Sequence, residues 1–430
     1  MVDIGDYIFR ETVDTQSHII ATYSVSAGNL LSAAKEIAIG QSIGNPDVRT
    51  ERDTPEILKN NLAKIVGLPR DFEDRGNSGT IQIAYPLENL GTDDGVSQLL
   101  CMTMGGQMDI DNITACRLED LQLPHSYMRE FKGPQIGMDE IKKRTTAIGR
   151  PLLGGIVKPK TGITVPQLVE LVDEMLVGGV DFIKEDEILG SPGFCDFYER
   201  VPAVLEVVRR REEEQGREIF YTPCINANPA EAMKRAQFAS EAGAKAVHLN
   251  FHAGLGVYQD LRELDLDDTA IFFQKSGDKV LTSERNAYSI AWPVVCKLAR
   301  LSGVDFIHAG MWGGYSSYSF DDLSDILEEL RGENGYNATV PSLSCGSNPG
   351  LVDTTMANFG ENVMMNVGGA IQGHPMGTTA GAIAMRQAMD KPLEENMVAY
   401  MQDKPELKAA IEKWGYVVPE SGNLLLKESG

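Results

Sequence analysis

From about Arg150 onward, short apolar runs alternate strictly with amphipathic stretches. The runs are Pro151–Val157, Val180–Lys184, Ile219–Ile225, Ala246–Phe251, Thr269–Gln274, Val304–His308, Thr339–Ser344 and Val363–Val367. Each has the length of a buried parallel strand, and stretches such as Val165–Val177, Ala230–Ala242, Ala287–Leu301 and Phe320–Glu329 carry helical spacing between them. Eight βα repeats predict a (β/α)8 TIM barrel, a count that a doubly wound sheet rarely needs. Between Val247 and Thr269 the pattern is weakest, since Gly254–Leu264 fits either a loop or a helix.

The first third has no such repeat. His18–Ser26 alternates like a strand, Ala27–Ile39 reads as a helix, Thr80–Tyr85 as a strand, Gly95–Met104 as a helix and Ile113–Leu123 as a strand. That order fits a ferredoxin-like α+β unit of the split βαβ kind. The expected organisation is therefore an α+β domain over 1–134 and a barrel with a C-terminal helical extension over 135–430.

Chemistry in such a barrel collects at the carboxyl ends of the strands. Nearly every expected strand here ends in polar or glycine residues. Strand two ends in Lys184-Glu185-Asp186-Glu187, where alternation puts Lys184 and Asp186 on one side and Glu187 at the turn. The acids suit a hard divalent cation. An ammonium would repel that cation, whereas a lysine carbamate formed with CO2 would supply a further anionic oxygen. A solvated Lys/Asp/Glu cluster closing a βα turn is the alternative.

Lys158 and Lys160 flank Pro159 at the mouth of strand one, where two close ammonium groups depress each other's pKa; two exposed turn lysines are the plainer reading. His308 ends strand six ahead of a glycine-bearing aromatic loop able to close over a ligand. His252 has a weaker claim, and His18, His125 and His248 have none. Ser344-Cys345-Gly346 and Gly368-Gly369 end strands seven and eight, the usual phosphate pocket of barrels, although tight turns also call for glycine.

Composition narrows the partners. The 430 residues carry a formal net charge of −23, which disfavours nucleic acid and anionic membrane as partners, so an anionic substrate must meet local positive charge. Six scattered cysteines without Cys-x-x-Cys spacing read as thiols, neither disulfides nor zinc ligands. No apolar run reaches bilayer length and the start lacks a leader pattern, so a cytoplasmic location is expected.

Four ordered segments, Gly155-Ile-Val-Lys-Pro-Lys-Thr-Gly162, Gly178-Gly-Val-Asp-Phe-Ile-Lys-Glu-Asp-Glu187, Leu298-Ala-Arg-Leu-Ser-Gly-Val-Asp-Phe-Ile-His308 and Gly368-Gly-Ala-Ile-Gln-Gly-His-Pro-Met-Gly377, resemble the large chain of ribulose-bisphosphate carboxylase/oxygenase (RuBisCO). Arg117-Leu-Glu-Asp-Leu121 extends the likeness into the first domain. The resemblance implies that Lys184 is carbamylated by CO2 and binds Mg2+ with Asp186 and Glu187, that Lys158 is the base and Lys160 its assistant, and that Ser344, Gly346, Gly368 and Gly369 hold a substrate hydroxyl and phosphate. It also implies a homodimer, or a multiple of dimers, in which the first domain completes the neighbour's site, with Asn45 and Gln107 placed to reach across.

Departures from the carboxylase pattern point elsewhere. No lysine or arginine lies between His308 and Phe320, where carboxylases carry a lysine that steadies the CO2 adduct. Lys275-Ser276 stands where they have a His-Arg pair gripping a second phosphate, and Gly40–Pro46 lacks their acid and Thr-Trp pair. This is the pattern of a form IV, RuBisCO-like protein acting on a monophosphorylated keto-sugar or keto-sugar-acid. The expected reaction is decarboxylation or carbon–carbon cleavage of an oxo-isoapionate-phosphate type of substrate, with Lys158, Lys160, His308 and Lys275 as catalytic groups. Enolisation or isomerisation of a methylthio-sugar phosphate in methionine salvage is the second reading, and a non-catalytic regulatory protein is the third.

Overall fold

The computed structural model describes residues 3–418 except 46, 47, 49, 69–76, 92, 265, 267 and 315–317. The chain divides into two compact units: the residues up to Lys132 together with Gly277–Ser302, and Gly133–Ser276 together with the residues from Gly303 onward.

The first unit holds a mixed sheet of β1 (Phe9–Arg10), β2 (His18–Ala27), β3 (Lys64–Val66), β4 (Ser78–Pro86), β5 (Ile113–Gln122) and β11 (Tyr288–Ile290), in the order β1-β3-β4-β2-β5-β11. β2 lies at the centre, antiparallel to β4 and β5. The buried hydroxyls of Tyr23 and Tyr85 meet at 2.9 Å, and Tyr23 also donates to the Thr103 carbonyl. The stretch Ala287–Leu301, expected as one helix, is instead the short strand β11 followed by a helix over Trp292–Leu301. The break fits its residues: Tyr288–Ile290 pairs with Cys116–Leu118 of β5, and Pro293 then occupies the first helical turn.

The second unit is the expected barrel. Its strands are β6 (Leu152–Ile156), β7 (Phe182–Lys184), β8 (Phe220–Thr222), β9 (Ala246–Asn250), β10 (Ala270–Gln274), β12 (Phe306–Gly310), β13 (Val340–Leu343) and β14 (Met364–Val367). They are parallel in the order β8-β7-β6-β14-β13-β12-β10-β9, and a parallel bridge from Cys224 to His248 joins the two ends. The doubtful stretch after β9 is a helix over Leu255–Glu263. Among the described residues no helix is long and apolar enough to cross a membrane.

Every barrel strand gives a side chain to one apolar layer: Leu152, Phe182, Phe220, Ala246, Phe272, Phe306, Val340 and Met364. Two residues further along each strand the same face continues. There the composition changes to Lys184, Thr222, His248, Gln274, His308, Ser342 and Asn366. An apolar floor thus carries a polar layer.

Strands β7 and β12 are entered by the same pentapeptide, Gly-Val-Asp-Phe-Ile, at 179–183 and 303–307. Gly179 and Gly303 have φ of 89° and 93°, a turn that a side chain would strain. The aspartates that follow are fully buried and paired. Asp181 binds Arg150 and Arg217 at 2.6 and 2.7 Å and accepts from the Leu153 N–H. Asp305 binds Arg262 at 2.5 Å and accepts from the N–H groups of Ile136 and Ile271.

At the other end of β7 stands a second buried pair. Glu185 and Arg200 are both inaccessible to solvent, with Nε–Oε1 and Nη2–Oε2 distances of 2.8 and 2.9 Å. Glu185 also accepts from the Tyr221 hydroxyl and, at 2.7 Å, from the Cys224 N–H. Arg200 is in the first turn of the Phe197–Gln215 helix, which Asp196 caps, and it also donates to the Cys195 carbonyl. Removing one partner strands a buried charge. Arg200→Met is expected to lower the unfolding free energy by about 3–5 kcal/mol, measured by urea denaturation. Adding Glu185→Gln to that variant is expected to restore part of the loss.

Candidate active site

At the carboxyl ends of the barrel strands lies a cavity of about 750 Å³. Lys158, Lys160, Lys184, Asp186, Glu187, His308, Ser344, Gly346, Gly368 and Gly369 all line it. Ten of the thirteen residues singled out from the sequence therefore converge on one space.

Period-two geometry sorts the cluster that ends β7. Lys184 and Asp186 face the cavity, whereas Glu185 points away to Arg200. The Lys184 Nζ donates to the Glu185 carbonyl at 2.9 Å and to Glu187 Oε2 at 3.4 Å. Lys184 is fully buried, and desolvation pulls its amine pKa down despite the nearby acids. Burial opposes ionisation of Glu187, but the charge of Lys184 and a hydrogen bond from Ser276 hold that carboxyl below the ordinary range. Asn226 fixes the turn by donating to the Glu187 carbonyl.

Lys158 finds its partner in Asp186, with Nζ 2.9 Å from Oδ2, so a carboxylate rather than Lys160 is its near neighbour. Its backbone is held by the segment after the adjacent strand β14, because Gln372 accepts from the Lys158 N–H at 2.7 Å and donates to the Ile156 carbonyl. A Cβ on Gly368 would come within 3.2 Å of Lys158 Cε, so the glycine turn lets the lysine lie against the β14 end.

His308 lies inside β12, two residues before its end, with Nε2 2.6 Å from Ser344 Oγ. Burial, then the charges of Lys275 and Lys184, push its pKa down to about 3, so the imidazole is neutral. Cys345 Sγ lies 3.8 Å from the same nitrogen, and Cys345 has the unusual φ of 80°.

The other three expected residues stand apart from this lining. Lys275 is buried and donates to the Tyr318 hydroxyl, with its Nζ 4.6 Å from that ring centre. It acts on His308 by charge, and the neighbouring Gln274 takes the cavity-facing position. Gln274 donates to Glu187 Oε2 at 2.9 Å and to Ser276 Oγ at 2.7 Å. The alternation that placed Lys184 and Asp186 together would also have selected Gln274, two residues beyond the core residue Phe272. Asn45 and Gln107 belong to the first unit, where Gln107 packs over Gly40 and its N–H donates to Gln41. Asn348, Asn366 and Trp414 also line the cavity. Trp414 ends the last described helix, and nothing in the strand pattern marks it.

Among the described residues no group of three or more His, Cys, Asp or Glu side chains is arranged to hold a metal. Asp186 and Glu187 offer two carboxylates beside a desolvated amine. That set fits a hard cation if Lys184 contributes a carbamate oxygen as the third anionic ligand.

Known proteins share this architecture. The N-terminal-domain model of the ribulose bisphosphate carboxylase large chain matches residues 6–127, and the catalytic-domain model matches 137–322 and 330–414. A ribulose bisphosphate carboxylase of Archaeoglobus fulgidus is 32% identical over 446 aligned positions, covering 96% of this chain and 99% of that one. The 2,3-diketo-5-methylthiopentyl-1-phosphate enolase of Bacillus licheniformis is 31% identical over 412 positions, covering 93% and 99%. The solved dimeric archaeal Rubisco of Hyperthermus butylicus superposes with a TM-score of 0.87 at 27% identity, covering 96% of this chain and 100% of that one. Matched across both its units, with a cavity at the strand ends of the barrel that the matched catalytic domain spans, the chain belongs to the ribulose-bisphosphate carboxylase large-chain family.

Proposed function

We propose that this protein is a form IV, RuBisCO-like enzyme that generates an enolate from a monophosphorylated keto-sugar or keto-sugar-acid and does not fix CO2. The observation that carries the reading is a contrast within one cavity. Lys158, the Lys184–Asp186–Glu187 cluster, His308 and the glycine turns all converge, yet the loop from Ala309 to Ser319 contains no lysine or arginine. Proton abstraction is thereby equipped, and capture of a carboxylated adduct is not.

In this reading Lys184, carbamylated by CO2, would hold Mg2+ together with Asp186 and Glu187, and the bound cation would supply Lewis-acid stabilisation of negative charge on a carbonyl oxygen. Gly346, Gly368 and Gly369 give a phosphate close access to backbone N–H groups, with Ser344 beside them. Lys158 moves the proton on the carbon next to the carbonyl, and Lys160 adds positive charge at the mouth. His308, neutral and tied to Ser344, binds the oxygen-rich end of the substrate by hydrogen bonding. Lys275 acts on that end by charge; where the substrate has a carboxylate, the same enolate arises by decarboxylation or carbon–carbon cleavage. Enolisation in methionine salvage is the second reading, favoured by the 31% identity to the Bacillus licheniformis enolase. The family likeness also supports a homodimer in which Asn45 and Gln107 reach the neighbour's cavity.

Three outcomes follow. Incubation with Mg2+, bicarbonate and a panel of phosphorylated keto-acids in D2O is expected to release CO2 or a two-carbon acid. Deuterium exchange without cleavage would favour the salvage reading, and fixation of labelled CO2 onto ribulose bisphosphate would overturn the proposal. Lys158→Met is expected to reduce turnover by about 10²–10⁴-fold with substrate binding retained, read as kcat against KM.

The third concerns acid. Because the His308 pKa falls from 6.5 unfolded to about 3 folded, the unfolded chain binds a proton that the folded chain refuses. Its contribution to stability is complete above pH 6.5 and disappears as the pH falls towards 3. His308→Gln is expected to flatten the decline of the denaturation midpoint across that window.

A further inference from the structure

His248 has no place in the chemistry above, yet it occupies the polar layer of the barrel at the β8–β9 seam. It is fully buried, and neither ring nitrogen has a hydrogen-bond partner. Burial of an unpaired imidazole costs free energy that an apolar side chain would not. Five buried side-chain polar atoms lack partners among the described residues, and four of them are in this layer: both His248 nitrogens, Ser342 Oγ and Asn366 Oδ1. Their clustering around the layer that holds Lys184 points to a polar group that this layer is built to receive.

Among these residues His248 is the one tied to Lys184 by shared contacts. The His248 ring meets Phe272 edge to face at 6.3 Å between centres, and the Lys184 Nζ stands 5.9 Å from the centre of that same ring. Lys184 donates to the Glu185 carbonyl, which is also near the His248 ring but outside hydrogen-bond geometry. The strand neighbours of Lys184 offer little. Ile156 is apolar, and the Thr222 hydroxyl is turned back to the Phe220 carbonyl at 3.4 Å.

We propose that His248 is the positioning residue of the Lys184 carbamate, its ring N–H donating to a carbamate oxygen. This rests on the carbamate reading of Lys184. In the step itself the Nζ lone pair of the neutral amine attacks the carbon of CO2, an N–C bond forms, and one C=O electron pair passes to oxygen. The displaced Nζ proton leaves to solvent. The new carboxylate brings negative charge and acceptor oxygens into a layer whose imidazole N–H otherwise has nothing to bond, and the hydrogen bond orients it towards Asp186 and Glu187.

The test reads the adduct rather than turnover. Wild type, His248→Met and His248→Gln are equilibrated with graded ¹³C-labelled CO2, with and without Mg2+. The carbamate is trapped by alkylation of its oxygen and quantified on the Lys184 peptide by mass spectrometry. His248→Met, which keeps the volume and removes the donor, is expected to need about ten- to a hundredfold more CO2 for half-occupancy, the scale of a hydrogen bond to a charged group. His248→Gln, which keeps a donor, is expected to stay within about threefold of wild type on the same scale. Equal half-occupancy in wild type and His248→Met overturns the proposal and leaves the carbamate intact. No label on wild-type Lys184 at any CO2 level overturns the carbamate reading itself. In the wild-type protein the ¹⁵N signals of the His248 ring, assigned by their loss in His248→Gln, are expected to shift with CO2; their constancy while Lys184 is labelled overturns the proposal even if His248→Met fails to fold.

Discussion

The buried pair of Glu185 and Arg200 is the constraint on which the site depends. Glu185 stands between the cavity-lining Lys184 and Asp186, and the pair's own charges never reach the cavity. A carboxylate in the barrel wall is tolerable only because Arg200, Tyr221 and the Cys224 N–H satisfy it together. With Glu185 fixed on one side of the chain, alternation leaves Lys184 and Asp186 no choice but the other. The direction of two cavity groups is thus set by a residue that faces away from it.

This arrangement also gathers positive charge inside a strongly acidic protein. The net charge is −23, yet Lys158, Lys160 and Lys184 line one cavity of the barrel. Asp186 beside Lys158 and Glu187 beside Lys184 are the groups that a divalent cation would neutralise. Positive character at the mouth is therefore conditional on what the acids bind. Any steering of an anion would come from the loaded site rather than from the surface as a whole.

Much of this was legible in the chain itself. Eight apolar runs gave eight strands, because a parallel strand buried on both faces leaves a continuous apolar signature. The strand-end polar groups gave most of the cavity for the same reason. What escaped the reading depends on contacts between distant segments. Glu185 and Arg200 are fifteen residues apart and meet through a helix packing back on the wall. Trp414 comes from the last described helix. Lys275 is named through the family likeness at the end of strand five, whereas the cavity-facing position there is taken by Gln274, which the alternation of side chains selects. Ala287–Leu301 read as a single helix because the pairing of Tyr288–Ile290 with β5 has no local signal. His248 has no claim from the sequence, since what marks it is the partners that its buried ring lacks, which no sequence displays.

The repeated Gly-Val-Asp-Phe-Ile segment gives the barrel a common datum. Each aspartate is pinned by arginine and backbone N–H groups at the start of its strand, and a cavity-lining residue follows three positions later, roughly 10 Å along an extended chain. Lys184 and His308 are thereby indexed to one depth by backbone length alone, independent of how the loops above them are built. Loops at the mouth are free to change in length and composition while the two groups keep their mutual level. The shape of the mouth and the level of these two side chains are in this sense set separately along the same strands.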